Sequence, residues 1–194
     1  MLYIVATPIG HLKDITLRAI EVLKGVDLIA AEDTRHSKIL CDAYGITAPM
    51  TSCFEHNEDA KARRILALLQ EGKSVALISD AGTPGISDPG FRLVRMARDN
   101  GIPVTVVPGA CAAVAALSLS GLPTDRFAFM GFMPVKPGAR RKRLEEAARI
   151  GGTVIFYESP HRLLKSLKDI AEVLGDPVIV ITRELTKKFE ERLE

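Results

Sequence analysis

The segment Ser79–Gly90, SDAGTPGISDPG, holds the densest set of residues that could do chemistry. Its carboxylates and hydroxyls form hydrogen bonds, and its three glycines permit unusual backbone angles or close approach to a ligand. It follows the apolar run Val75–Ile78, which is too short for a helix and typical of a buried strand. Open α/β sheets bind ligands at the carboxyl ends of strands, so the pattern predicts a ligand-binding loop. An ordinary tight turn rich in Gly, Pro and Asp is the alternative.

Four other loops also follow predicted strands: Thr7–Gly10, Glu32–Arg35, Pro108–Cys111 and Glu158–Arg162. The carboxyl ends of parallel strands converge on one edge of a sheet, so we expect these loops to meet the central one. Their Gly and Pro residues present backbone donors and acceptors, which suits a ligand with both hydrogen-bonding groups and apolar surface. For the last loop the alternative is a simple helix start, with Ser159-Pro160 as its cap and first position.

The elements that must position these loops are short β-rich runs that alternate with helices. This alternation predicts an α/β fold with a parallel sheet and right-handed crossovers. The predicted helix caps are Asp14, Asn57 and Asp88, the last followed by Pro89 in the first turn. Gly121–Thr124 looks like a break, and we place a domain boundary within about Ala110–Thr124, which gives proposed domains 1–110 and 111–194. Strands are predicted in the second domain at Arg126–Met133, Thr153–Tyr157 and Pro177–Thr182.

Composition narrows the class of protein. The net charge of +2 neither demands nor excludes a nucleic acid, and the three cysteines are far apart. No secretory leader and no bilayer-spanning apolar stretch is found, so a reducing cytoplasm and no membrane association are expected. The sequence lacks a G-x-G-x-x-G dinucleotide motif, a Walker A lysine pattern and a G-x-S-x-G elbow. Its histidines and cysteines lack metal-site spacing, so no metal is predicted.

A basic run occupies residues 136–143, KPGARRKR, with five cations and no acidic residue. Such a run is usually a solvated face. Because this one borders a predicted site loop, contact with a polyanion is the second interpretation.

Six segments together resemble one known family: LYIVATPIGHLKDITLRA, AAEDTRHS, SDAGTPGISDPG, VPGACAA, FYESPHRL and TRELTKKFEE. They look like the ribosomal RNA small subunit methyltransferase I group of the tetrapyrrole (class III) methylase superfamily, and the resemblance covers essentially the whole chain. Many superfamily members read G-D-P where this chain has Gly82-Thr83-Pro84. The T-P form is similar to the rRNA branch rather than the corrin-making branch.

The resemblance implies two α/β domains with a cofactor cleft between them, in a homodimer, and a second domain incomplete at its C-terminus. It implies S-adenosylmethionine as cofactor and methylation of the ribose 2′-hydroxyl of a cytidine in 16S rRNA of the small ribosomal subunit. By similarity, the cofactor contacts are Ile9, Thr83, Ile86, Gly109, Ala110 and Tyr157.

A neutral ribose hydroxyl is a poor nucleophile, so a general base is expected. The carboxylates that the resemblance brings to the cleft are Asp33, Asp80 and Glu158, although Asp80 could be only a loop brace. The expected RNA-phosphate contacts are Arg35, Arg140, Arg141, Lys142, Arg143 and Arg162, because guanidinium suits bidentate contact. Two alternatives stay open: a methyltransferase acting on a corrin or precorrin ring, and a non-catalytic ribosome-binding module.

Overall fold

The computed structural model describes residues 1–53 and 58–194, so the predicted Asn57 cap lies outside the described residues. The chain divides into two compact units, Met1–Cys111 and Ala112–Glu194, and each combines helices with strands. The predicted α/β class is confirmed. We keep 1–110 and 111–194 as the proposed domains.

The first unit is built on a five-stranded parallel sheet. Its strands are β1 Leu2–Val5, β2 Leu28–Ala31, β3 Met50–Ser52, β4 Val75–Ile78 and β5 Val104–Val107. Their order in the sheet is β3-β2-β4-β1-β5. All four residues of the central strand β4 are buried, as the apolar run predicts. The sequence predicts the other strands at Leu2–Ala6, Val26–Ala31, Pro49–Cys53 and Pro103–Val107, and each is found within two residues of those bounds.

Helices cover both faces of this sheet, because successive strand residues face opposite sides. On β4, Ala76 and Ile78 belong to one buried apolar cluster. Val75 and Leu77 belong to the other. The helices of this unit are α1 Leu17–Gly25, α2 Thr34–Tyr44, α3 Glu58–Gln70 and α4 Phe91–Asp99. The first cluster includes residues of α1 and α2, and the second includes residues of α3 and α4.

Two predicted caps in this unit are wrong. Asp14 lies in a 3-10 turn, and the cap of α1 is Thr16, whose hydroxyl accepts the Ala19 N–H at 3.1 Å. Helix α4 begins only at Phe91, after Gly90, so Asp88 is not its cap. Gly90 has φ +134°, a conformation that side-chain-bearing residues rarely adopt, and it extends the loop beyond the expected start.

The second unit contains two small sheets. Strands β6 Phe127–Phe132 and β7 Thr153–Tyr157 pair in parallel, and β8 Ile181–Arg183 and β9 Glu191–Leu193 pair antiparallel. The strand predicted at Pro177–Thr182 therefore begins later, and β9 was not predicted. The helix expected from Ser159-Pro160 begins only at Leu163, with Arg162 as its cap. The helices are α5 Ala112–Ser120, α6 Pro137–Ala147 and α7 Leu163–Leu174.

Within the described parts of the chain, we find no helix with the length and apolar character that crossing a membrane requires.

Candidate functional site

The Ser79–Gly90 loop is joined directly to the loop after β1. The Thr7 N–H donates to the Gly82 carbonyl at 2.9 Å, and the Gly82 N–H donates back to the Thr7 carbonyl at 3.1 Å. The buried Thr7 hydroxyl also donates to the Ser79 carbonyl at 3.0 Å. Because β1 and β4 are neighbours, these three bonds fix two of the predicted ligand loops to each other.

The loop after β5 joins the same group. The Thr83 hydroxyl donates to the Ala110 carbonyl at 3.1 Å. A Cβ atom at Gly82, where φ is +84°, would lie 3.5 Å from Ile9 Cγ2 and 3.6 Å from the Ala110 carbonyl oxygen. The structure therefore brings together Ile9, Thr83 and Ala110. Two other residues expected at the cofactor lie on the same loops and are exposed, Ile86 and Gly109.

The loop after β2 is attached through carboxylates. Asp80 Oδ1 accepts the Asp33 N–H at 3.0 Å, and Glu32 Oε2 accepts the Asp80 N–H at 3.4 Å. Burial raises the pKa of Glu32, and the nearby charges of Asp88, Asp80 and Asp33 raise it further. Burial also raises the pKa of Asp88, with a contribution from Asp80. Glu32 lies in the predicted loop Glu32–Arg35 but is not among the carboxylates predicted from the sequence, although its place at the carboxyl end of β2 was a usable signal.

The Asp33 carboxylate caps α2 and forms an ion pair with Arg35. Its Oδ1 accepts the Arg35 N–H at 2.8 Å, and its Oδ2 lies 2.6 Å from Arg35 Nη2. Hydrogen bonds from the Arg35 side chain and backbone lower the pKa of Asp33 to about 2. A carboxylate with so low a pKa is a weak proton acceptor near neutral pH.

Glu158 follows β7 in the second unit, not the five-stranded sheet. Its Oε1 lies 2.7 Å from Arg162 Nη2 and accepts the Ser159 N–H at 2.7 Å, while its Oε2 accepts the Ser166 hydroxyl. Only 9% of the Glu158 side chain is exposed. These bonds make it a brace for the start of α7.

Tyr157 is the last residue of β7 and lies among other aromatic rings. Its hydroxyl accepts the Ala113 N–H at 3.1 Å, in the first turn of α5. Its ring contacts Phe129 and Phe132 edge to face, with centroids 4.7 and 5.4 Å away. The ring orientation is therefore fixed from two sides.

The basic run does not form one uniform charged face. Arg140 is buried: its Nε donates to Asp169 Oδ2 at 2.6 Å, and its Nη1 donates to the Pro134 and Val135 carbonyls at 3.3 and 3.2 Å. The structure thus gives Arg140 a role in holding α6 to α7. The other three predicted cations of the run, Arg141, Lys142 and Arg143, are at least partly exposed.

Neither a metal cluster nor the cavity described below is part of the site in the described residues. In the part of the chain that the structure describes, we see no group of three or more His, Cys, Asp or Glu side chains arranged to hold a metal ion. A cavity of about 490 Å³ is lined by Arg98 of α4, Val104 at the amino end of β5 and residues between them. It lies away from the strand-end loops, so it is not part of the site described above.

A family model described as Tetrapyrrole (Corrin/Porphyrin) Methylases matches residues 1–194. A protein of Escherichia coli O157:H7 named Ribosomal RNA small subunit methyltransferase I is 56% identical over 190 residues, 97% of this chain and 66% of that protein. A protein of the same name from Haemophilus influenzae is 56% identical over 98% of this chain and 68% of its own length. This chain therefore spans about two thirds of the length of these relatives.

A solved structure of uroporphyrin-III-C-methyltransferase from Thermus thermophilus has a TM-score of 0.67 at 23% identity, and the match covers 98% of this chain and 82% of that one. At this identity the likeness shows the fold alone.

Proposed function

The chain belongs to the tetrapyrrole methylases and, within them, to the ribosomal RNA small subunit methyltransferase I family, and we propose that it methylates the ribose 2′-hydroxyl of a cytidine in 16S rRNA. The observation that carries the proposal is the 56% identity over 97% of this chain to a protein of that name. The methyl donor is S-adenosylmethionine. We further propose that the target lies in the small ribosomal subunit and that the protein acts as a cytoplasmic homodimer.

We assign the donor site to the loops that Thr7, Gly82 and Ala110 hold together. They offer backbone hydrogen-bonding groups beside the apolar side chains of Ile9 and Ile86, which suits a nucleoside-containing ligand with polar edges and apolar surface. Thr83, Gly109 and Ala110 complete the proposed set in this unit. Tyr157 remains a proposed contact on the strength of the family resemblance.

S-adenosylmethionine supplies a methyl group on a positively charged sulfur, which leaves as a neutral thioether. The protein must hold the ribose oxygen in line with that bond, and such positioning can lower a barrier by roughly 7–11 kcal/mol. It must also accept the hydroxyl proton, which typically contributes about 10²–10⁴-fold to the rate.

Asp80 is our proposed proton acceptor among the three carboxylates. The pKa of Asp33 is held at about 2 by Arg35, and Glu158 is bound to Arg162 and two serine donors. Asp80 belongs to the loop cluster of the first unit, where its Oδ1 accepts the Asp33 N–H and its own N–H donates to Glu32. We propose Asp33 and Glu158 as positioning residues.

The proposed phosphate contacts are Arg35, Arg141, Lys142 and Arg143, together with Arg162, whose side chain is 25% exposed and paired with Glu158. We leave out Arg140, because its guanidinium is buried against Asp169. Each cation that neutralises a phosphate of single-stranded RNA contributes about 0.7 to the slope of log affinity against log salt. Neutralising Arg141, Lys142 and Arg143 together should therefore flatten that slope.

The test is calorimetric titration with S-adenosylmethionine, followed by transfer of a radiolabelled methyl group to small ribosomal subunits that lack the modification. We expect binding, and label in 16S rRNA at a cytidine ribose. Donor binding without transfer to rRNA would contradict the proposed substrate. No donor binding would contradict the proposed chemistry.

Matched variants separate the roles. Thr83→Val removes the bond to Ala110 without a change in size, and losing one hydrogen bond should weaken donor binding about 2- to 12-fold. Thr105→Val, at an exposed position of β5, is the control and should leave donor affinity unchanged. Asp80→Asn should lower kcat by about 10²–10⁴-fold with donor affinity retained. Asp99→Asn, an exposed carboxylate of α4, is its control.

A further inference from the structure

Strand β6 contains one extra residue relative to its partner. Phe129 is paired with Ile155 and Phe132 with Tyr157, so three steps along β6 match two along β7. Gly131, inside this irregular stretch, has φ +69°. In a regular strand, side chains three residues apart point to opposite faces. The bulge therefore turns Phe132 to the face that carries Phe129 and Tyr157, and bulges that re-aim a side chain are common beside functional sites.

The result is an exposed aromatic ring on a rigid support. Phe132 is 54% exposed, and its edge-to-face contact with Tyr157 holds the orientation of its ring. Tyr157 is itself held by the Ala113 amide and by Phe129. A preorganised phenyl ring in water loses little conformational entropy when a flat ligand stacks on it.

Cations flank this ring along the strand. Arg143 Nη1 donates to the Met130 carbonyl at 3.4 Å, and Arg162 Nη1 donates to the Met133 carbonyl at 3.5 Å. Both guanidinium groups therefore lie within two residues of Phe132. Each is also paired with a carboxylate, Arg143 with Glu146 at 3.3 Å and Arg162 with Glu158 at 2.7 Å. Exposed Lys136 follows four residues later. The exposed Lys136 and the N–H groups of the two arginines therefore surround the ring with polar donors, which suit an anionic partner better than an apolar protein face.

We propose that Phe132 is a stacking platform for one unpaired base of RNA, with Arg143 and Arg162 placed for the phosphates beside that base. Proteins recognise single-stranded RNA by stacking bases on aromatic side chains within a basic surface. This inference rests on the proposed function and adds to it the residue that would hold a base in an open, single-stranded conformation.

The probe is a 20-nucleotide single-stranded RNA that carries one 2-aminopurine, whose fluorescence is quenched by stacking. We compare wild type with Phe132→Leu, Phe132→Trp and Phe127→Leu, using anisotropy for affinity. Phe127 is the matched control, because it is 46% exposed at the opposite end of the same strand. Phe132→Leu removes one base-stacking contact, so this variant should bind the RNA about 5- to 150-fold more weakly than wild type. The salt slope should stay unchanged, because no charge is removed.

We expect quenching to disappear in Phe132→Leu, return in Phe132→Trp and persist in Phe127→Leu. Phe132→Leu affinity within twofold of wild type, while wild type binds RNA, would overturn the stacking role and leave the proposed function intact. If Phe132→Leu changed the sedimentation of the protein but not its RNA affinity, the stacking role would also be overturned, because the ring would then contact another copy of the protein. A wild-type chain that binds no RNA would overturn the proposed function itself.

Discussion

Removing the Asp169 carboxylate should destabilise the second unit far more than removing an exposed carboxylate from the same two helices. Arg140 and Asp169 side chains are only 6% and 10% exposed, and Asp169 Oδ2 lies 2.5 Å from Arg140 Nη2. Asp169→Asn would keep the shape and leave the guanidinium buried without its counter-charge. Breaking a buried ion pair in this way typically costs about 3–5 kcal/mol. We expect about 3 kcal/mol, the lower end of that range, because two backbone carbonyls still accept from Arg140.

The matched control is Glu172→Gln. Glu172 is bound to Arg141 between the same helices, and those side chains are 39% and 47% exposed. An exposed pair is worth about 0–1 kcal/mol, so this variant should change stability little. The double variant Arg140→Met, Asp169→Leu removes both charges and should recover most of the loss, because a packed apolar pair often replaces a buried ion pair at no net penalty.

Urea unfolding followed by circular dichroism would give the free energy of unfolding, and hydrogen exchange of α6 and α7 peptides would locate the loss. A change of 3 kcal/mol corresponds to roughly a 150-fold rise in the opening equilibrium that exchange reports. If Asp169→Asn lowered the free energy of unfolding no more than Glu172→Gln does, the stabilising role of the buried Arg140–Asp169 ion pair would be refuted. Arg140 would then return to the set of proposed RNA contacts.

Three further predictions concern the loops of the first unit. Arg35→Gln should raise the pKa of Asp33 from about 2 toward its usual 3.8, which carbon NMR titration of the carboxyl would measure. The folded-state pKa of Glu32 is raised, so its ionisation reduces stability as pH rises above 4.5 through that pKa. Glu32→Gln should therefore raise Tm relative to wild type at pH 8 but not at pH 4. Gly90→Ala, at φ +134° with its Cβ 2.7 Å from Leu77 Cδ2, should lower the free energy of unfolding in urea by about 1–3 kcal/mol.

Each has a clear contrary result. An unchanged Asp33 pKa would mean that Arg35 does not hold the carboxylate in solution. Equal effects of Glu32→Gln at both pH values would rule out charge as its cause. A Gly90→Ala protein as stable as wild type would show that the loop tolerates another backbone path.

Several features follow from local patterns and were predictable for that reason. Four-residue apolar runs such as Val75–Ile78 form buried strands because both faces of a parallel sheet are covered. Loops after those strands share an edge because parallel strands end on the same side, and the bonds of Thr7, Gly82 and Asp80 join them there. The tetrapyrrole-methylase fold class and the family were both identified from the motifs and are confirmed.

Tertiary packing decided which residues of a sequence motif contact which distant side chains. The run Arg140–Arg143 does not show which cation is buried. The packing of α6 on α7 buries Arg140 against Asp169, 29 residues away, while the more exposed Arg141 reaches the other carboxylate oxygen at 3.5 Å. The fifth loop, at Glu158, follows a strand of a separate sheet, which alternation along the chain could not reveal.

By itself, the sequence determined the order of the helices and strands up to β8, the edge of the sheet that carries the site loops, and the family. The tertiary structure alone decided that Arg140 is buried, that Glu32 joins the carboxylates of the site, and that a bulge turns Phe132 outward beside Tyr157. The physical reason is that hydrophobic periodicity and turn residues act over a few neighbouring positions. Burial of a charge, a raised pKa and the facing of a bulged strand depend on residues brought close from distant parts of the chain.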